Sequence, residues 1–144
     1  MIGPDLDDDA IRRTCERLIT LSAVHNDEQD WTALAALYTD DAVLHRPSGP
    51  PLRGRDAIEA SYRSGASDRL TRHVCANIDV RPTSATTATG STVVLRFVAE
   101  QTAAGELPLA TGPMVGFFTD EFVRDGDAWR ISSRIAGATM RARP

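Results

Sequence analysis

Apolar residues recur at three- and four-residue spacing near the start of the chain and alternate with polar residues over most of its second half. The first pattern is typical of an amphipathic helix and the second of half-buried strands. Three aspartates, Asp7 to Asp9, precede the helical pattern and favour a helix N-terminus. The helix predicted there ends near residues 25–27. Its inner positions are Ile11, Cys15, Leu18, Ile19 and Ser22.

Two more helices and a short strand are predicted before the alternating region. Asp30 directly precedes an apolar pattern and is the expected N-cap of a short second helix. The inner face of that helix is predicted to carry Trp31, Leu34, Leu37 and Tyr38. Residues 39–41 have turn composition, residues 42–45 form the predicted strand, and a Pro- and Gly-rich loop follows at 47–51. The third helix is predicted over residues 55–64.

Four long strands are predicted in the rest of the chain, over residues 70–81, 88–101, 110–124 and 128–139. The segments between them contain turn residues at 82–84, 104–106 and 125–127. Helices followed by a meander of antiparallel strands indicate an α+β fold. Because the apolar face of such a sheet needs cover, the three helices are expected to pack on it and to leave a pocket between.

Length and charge restrict the class of protein. A chain of 144 residues fits one domain, predicted to span residues 1–144. The net charge of −4 argues against nucleic-acid binding. No apolar run approaches the roughly 18 residues that cross a membrane. The acidic N-terminus is unlike a secretory signal, so a cytoplasmic location and no membrane partner are expected.

The residues available for catalysis are restricted in a similar way. All sixteen Lys+Arg residues are arginines, which excludes lysine nucleophiles and Schiff bases. Cys15 and Cys75 lack metal-ligand spacing, and the three histidines are too scattered for a zinc motif. Phosphate-binding glycine loops are also absent from the sequence. No metal and no cofactor are therefore expected.

Three segments carry a family resemblance. They run from His25 to Ala42, from Pro51 to Asn77, and from Gly116 to Ile131. They include the pairs Asp30-Trp31 and Arg72-His73 and the sequence Gly116-Phe117-Phe118-Thr119-Asp120. In this order they resemble the SnoaL-like branch of the nuclear transport factor 2-like superfamily. The resemblance implies a cone of helices on a strongly curved antiparallel sheet that encloses a pocket, and a homodimer formed through the outer sheet face.

The resemblance also suggests a catalytic pair. Asp27 and His73 match positions at which scytalone dehydratase-like members use an Asp to orient a His. An Asp fixes the tautomer of the imidazole and raises its basicity, and the His moves a proton near neutral pH. The structural alternative is a solvated Asp27 and a His73 that merely shares a polar strand face with Cys75.

The sequence also departs from the dehydratase pattern. The segment 114–118 offers no second His, and Arg46 stands near the position of an expected Tyr. These departures weigh against dehydration of that particular type.

Other residues are candidates for contact with a ligand. His45 is predicted to share the inner strand face with Val43, although a structural histidine is the alternative. Trp31 and Phe117 complete the predicted substrate-binding residues. Asp120 is expected to pair across strands with Arg130 or Arg134, in a structural role.

Two hypotheses for function remain open from the sequence. The first is an enzyme, expected in secondary metabolism, that performs cofactor-independent acid/base chemistry on a small apolar, oxygenated molecule: cyclisation, dehydration or isomerisation. The second is a non-catalytic ligand-binding protein or an accessory subunit resembling the β subunit of a ring-hydroxylating dioxygenase.

Overall fold

A computed structural model describes residues 4–65 and 67–143 and shows three helices. They are α1 (Pro4–Asp27), α2 (Trp31–Ala36) and α3 (Arg55–Arg63). The predicted inner face of α1 is buried, with Cys15 and Ile19 fully inaccessible to solvent. Asp30 caps α2 as predicted, because its carboxylate accepts a hydrogen bond of 3.1 Å from the backbone N–H of Ala33.

Six strands form one sheet. They are β1 (Tyr38–His45), β2 (Leu52–Arg53), β3 (Arg69–Pro82), β4 (Thr87–Glu100), β5 (Thr111–Asp125) and β6 (Ala128–Met140). Their order across the sheet is β2-β1-β6-β5-β4-β3. The four long strands form the predicted antiparallel meander, within one residue of the predicted bounds at each end.

The segment between α2 and the loop differs from the prediction. Leu37 is the C-cap of α2, whereas Tyr38 and residues 39–41, predicted as helix and turn, belong to β1. This strand pairs with β6 in parallel, so the sheet is mixed rather than wholly antiparallel. The strand conformation is imposed by distant partners, since the carbonyl of Leu37 accepts a hydrogen bond of 2.8 Å from the N–H of Ile131. The short strand β2, paired with β1, was not predicted.

Bulges bend the long strands around the helices. The β3–β4 register shifts between Ala76 and Asp79, where Asn77 adopts a positive φ of 49°. Asparagine tolerates this left-handed conformation better than most residues, and a bulge increases the bend and twist of its strand. The result is a curved sheet that does not close into a barrel, with the helices on its concave face, as predicted.

The hydrophobic core fills one end of the space between helices and sheet. It includes Ile11, Cys15 and Ile19 of α1, together with Phe122 and Ile131 of the sheet. From Ser22 onward α1 lies outside this core and borders a cavity. In the described part of the chain, no helix is long and apolar enough to cross a membrane.

Candidate active site

The cavity has a volume of about 360 Å³ and lies between the C-terminal half of α1 and the inner face of the sheet. Apolar side chains such as Leu34, Val94 and Met114 make much of its wall. Polar side chains enter it from several elements: Asn26 from α1, His73 from β3, Arg96 from β4, Arg134 from β6 and Tyr62 from α3. A largely apolar cavity with a few convergent polar groups is typical of small-molecule sites.

Asp27 and His73 meet at this cavity. His73 Nδ1 lies 2.6 Å from Asp27 Oδ1, and both side chains are almost buried, at 12% and 11% exposed. His73 lines the cavity directly. With an ionised Asp27 as acceptor, Nδ1 carries the proton and Nε2 has a free lone pair. The sequence-predicted pair is thus assembled in space, across 46 positions of the chain.

The carboxylate of Asp27 is held by two further hydrogen bonds. The backbone N–H of His73 donates to Oδ2 at 2.9 Å, and Thr71 Oγ1 donates to Oδ1 at 3.1 Å. These bonds join the C-terminal residue of α1 to β3. They fix the position of the carboxylate and therefore the plane of the imidazole that it contacts.

A buried ion pair forms another part of the wall. Arg134 donates from Nε to Asp120 Oδ1 at 2.6 Å and from Nη2 to Oδ2 at 2.8 Å, and the two residues are 3% and 1% exposed. Its Nη1 donates to Ser22 Oγ at 2.8 Å, and its guanidinium lies 3.9 Å from the centre of the Phe118 ring. Burial alone would lower the pKa of Arg134, but the Asp120 carboxylate raises it above its ordinary value. Arg134 is therefore a permanent cation at the cavity.

Tyr62 presents a hydroxyl-bearing ring to the same cavity. Its ring stacks on Trp31, with centroids 5.6 Å apart and planes 17° apart. Burial raises the pKa of Tyr62, and the nearby Arg134 and Arg46 only partly oppose that effect. The phenol is therefore neutral near pH 7 and can donate a hydrogen bond. In the sequence, Tyr62 has no signal beyond that of an apolar position in the helix predicted over residues 55–64.

The predicted substrate-binding residues fall in different places. Leu44 and Arg46 line the cavity, whereas His45 is exposed and neither it nor Val43 lines it. The residues that face the cavity are therefore shifted by one position from the prediction. The four residues of the predicted strand do not include the whole register shift between Tyr38 and Val43, which sets this alternation.

Of the two predicted aromatic contacts, Phe117 lines the cavity and Trp31 does not. Trp31 borders a separate depression and supports the cavity only through Tyr62. Phe117 is 37% exposed and borders the cavity. Its ring lies against Gly137, its paired residue in β6, where an added Cβ would come within 2.3 Å of the ring. The aromatic ring that packs under the Arg134 guanidinium belongs to the next residue, Phe118.

Neither cysteine has the setting of a nucleophile. Burial raises the pKa of the Cys75 thiol, and Cys15 lies in the core. Over residues 4–65 and 67–143, no cluster of three or more His, Cys, Asp or Glu could hold a metal ion. The chemistry offered by the described cavity is hydrogen bonding, fixed charge and proton transfer.

Comparison with known families agrees with this architecture. The family model of the SnoaL-like domain matches residues 7–135, which is most of the chain. The chain belongs to the SnoaL-like domain family. Among proteins of curated function, none matches it.

Several solved structures share the fold of this SnoaL-like domain. A candidate scytalone dehydratase from Novosphingobium aromaticivorans is 26% identical, with a TM-score of 0.75 over 90% of this chain and 85% of that one. The hexachlorocyclohexane dehydrochlorinase LinA-type3 from Novosphingobium barchaimii has a TM-score of 0.80 at 19% identity, covering 96% of this chain and 92% of its own. ActVI-ORFA from Streptomyces coelicolor has a TM-score of 0.74 at 19% identity over 90% and 97%. At 19% identity, the similarity to LinA-type3 and to ActVI-ORFA shows a shared fold only.

Proposed function

We propose that this protein is an enzyme that catalyses cofactor-independent proton transfer on a small apolar, oxygenated molecule. The reaction would be a cyclisation, a dehydration or an isomerisation, and secondary metabolism is the setting we expect. The observation that carries the proposal is the 2.6 Å contact between His73 Nδ1 and Asp27 Oδ1 at the wall of the cavity. The names of the structural relatives, a candidate dehydratase and a dehydrochlorinase, are consistent with it.

In this mechanism His73 is the general base. Asp27 accepts the Nδ1–H bond, so the lone pair of Nε2 takes a proton from a carbon or hydroxyl of the substrate. The imidazolium that forms is stabilised by the adjacent carboxylate and returns the proton to the product. Asp27 positions the imidazole and needs no contact with substrate.

Two other groups would stabilise the negative charge that develops on a substrate oxygen. The neutral hydroxyl of Tyr62 can donate a hydrogen bond, and the buried Arg134 supplies a fixed positive charge. Because apolar residues line much of the cavity, such interactions are stronger there than in water. His73 would then remove a proton from the carbon beside a carbonyl, while Tyr62 and Arg134 stabilise the negative charge on the carbonyl oxygen.

A generic base-sensitive probe tests this proposal before a substrate is known. The probe 5-nitrobenzisoxazole opens to a coloured cyanophenolate once a base removes its ring proton, and it needs no cofactor. We expect the wild-type protein to accelerate this reaction over buffer. His73→Gln and Asp27→Asn should each lower kcat/KM by about a hundredfold or more.

His45→Gln is the matched control, because His45 is exposed and does not line the cavity. It should retain the wild-type rate and the wild-type fold by circular dichroism. Equal rates for wild type and His73→Gln would contradict the assignment of His73. A wild-type protein that only binds the probe, with no rate above buffer, would favour the alternative of a ligand-binding or accessory protein.

A further inference from the structure

Two arginines of the cavity have no acidic partner. Arg46 follows β1 and Arg96 lies in β4, and both line the cavity. The ion pairs within the described residues involve other arginines, and neither Arg46 nor Arg96 takes part in one. Each side chain is partly buried where it lines the cavity.

Their hydrogen bonding is incomplete as well. The Nε atoms of Arg46 and Arg96 are buried without a hydrogen-bond partner among the described residues. Arg46 donates once, from Nη1 to Ser61 Oγ at 2.8 Å. A buried guanidinium N–H is costly unless it finds an acceptor, and an anion supplies the strongest one. Both guanidinium groups therefore have an N–H for which the described residues supply no acceptor.

The other charged groups of the site are hydrogen-bonded to partners within it. Arg134 is paired with Asp120, and His73 is bonded to Asp27. Three guanidinium groups against two carboxylates leave the site with one excess positive charge when the imidazole is neutral. The chain as a whole carries a net charge of −4, so this local excess is not a general property of the surface. One excess positive charge suits a monoanion.

The position of Arg96 connects this charge to the catalytic group. In the β3–β4 ladder Arg96 lies directly opposite His73. Directly paired residues share one face of the sheet, with Cβ atoms about 5 Å apart. An anion held by Arg96 would bring the neighbouring atoms of the same ligand to the imidazole.

We propose that the substrate carries a carboxylate, which Arg46 and Arg96 bind from two walls of the cavity while its apolar body lies toward Val94 and Met114. A planar carboxylate matches the fork of a guanidinium, and its single charge matches the excess at the site. The inference rests on the proposed function, because it names the substrate class of the same site.

Binding of three matched probes tests the inference without turnover. Isothermal titration calorimetry compares 1-naphthoate with the neutral 1-naphthamide and with 1-naphthyl phosphate, all at pH 7.5 and low salt. We expect naphthoate to bind at least about tenfold more tightly than the amide, and more tightly than the phosphate ester. Arg46→Met and Arg96→Met should each weaken naphthoate binding by about tenfold and leave amide binding within about twofold.

Arg72→Met is the matched control, because Arg72 lies next to His73 in β3 but is exposed and does not line the cavity. It removes the same charge from the chain and should leave all three affinities unchanged. Urea unfolding of each variant verifies that the fold is retained.

The inference is overturned by equal binding of acid and amide, by tighter binding of the phosphate ester, or by no binding of naphthoate at 1 mM. It is also overturned if neither cavity variant changes naphthoate affinity. His73→Gln separates the two proposals. If that variant keeps the elimination rate while naphthoate still depends on Arg96, the acid/base function fails and the carboxylate site stands.

Discussion

At the scale of single residues, Arg134 contributes to both stability and the site. Its guanidinium is bonded to Asp120 and to Ser22, and its face lies over Phe118, all inside the protein. A charge in this environment is tolerated only while its partner is present, because the solvation lost on burial is replaced by that partner. The pair that was expected to be structural thus also supplies the fixed cation of the cavity.

Asp120→Asn should therefore be strongly destabilising. It removes the negative charge and leaves the Arg134 guanidinium buried without compensation. We expect the free energy of unfolding, measured by urea denaturation, to fall by about 3–5 kcal/mol. Asp79→Asn is the control: its partner Arg81 is exposed, so the loss should be much smaller. A loss for Asp120→Asn as small as that of the control would contradict the buried-pair argument.

At the scale of elements, α1 joins the core to the site. Its residues up to Ile19 include Ile11 and Cys15 of the core, and its last turns bring Asn26 to the cavity and Asp27 to His73. Because the helix is one rigid element, packing of the first half sets the position of the last turn. Substitutions in the core are then expected to shift the position of Asp27 relative to His73.

The Cys15 thiol provides a pH-dependent test of this packing. Burial, assisted by the nearby carboxylates of Asp120 and Glu16, raises the pKa of Cys15 from 9.0 to about 12. Between those values the unfolded chain binds fewer protons at this residue than the folded chain, so stability falls as pH rises. The contribution of the neutral thiol is complete below pH 9 and is lost as the pH approaches 12.

We expect the free energy of unfolding of the wild-type protein to fall by about 1.4 kcal/mol per pH unit more steeply than that of Cys15→Ala, between about pH 9.5 and 11. Urea titrations at several pH values, with a thiol reductant present, measure both slopes. Tyrosines and arginines titrate equally in the two proteins, so the difference isolates Cys15. Parallel pH profiles would show that the thiol is not buried in the folded state.

At the scale of the whole molecule, the convex face of the sheet carries a row of apolar residues. The directly paired residues Val74, Leu95, Val115 and Met140 form one row across four strands. Val74, Phe117 and Met140 are 47%, 37% and 58% exposed. A contiguous exposed apolar face is typical of a surface that another protein covers.

We predict that this face joins two copies of the chain in a twofold-symmetric homodimer. Light scattering in dilute solution should report about twice the 15.6 kDa of the chain. Val74→Asp should shift the mass toward that of the monomer, because it places a charge in the apolar contact. Leu107→Asp, in an exposed loop, should not. A wild-type protein of monomeric mass would contradict the prediction.

The sequence by itself determined what depends on local spacing. The periodicity of α1, the N-cap at Asp30 and the alternation along the four long strands each reflect neighbours within a few residues. These signals are strong enough to predict the elements and, by resemblance, the fold. The resemblance also selected Asp27 and His73, which the structure brings within hydrogen-bond distance.

The tertiary structure decided what depends on distant partners. β1 takes its length and phase from parallel pairing with β6, about 90 positions later, so Leu44 and Arg46 rather than Val43 and His45 line the cavity. The arginines that give the cavity its charge, Arg46, Arg96 and Arg134, are separated by dozens of residues. The residues next to each of them in sequence give no sign that it belongs to a binding site. Only the curvature of the sheet brings them to one cavity, because side chains from distant strands converge when the sheet bends around its helices.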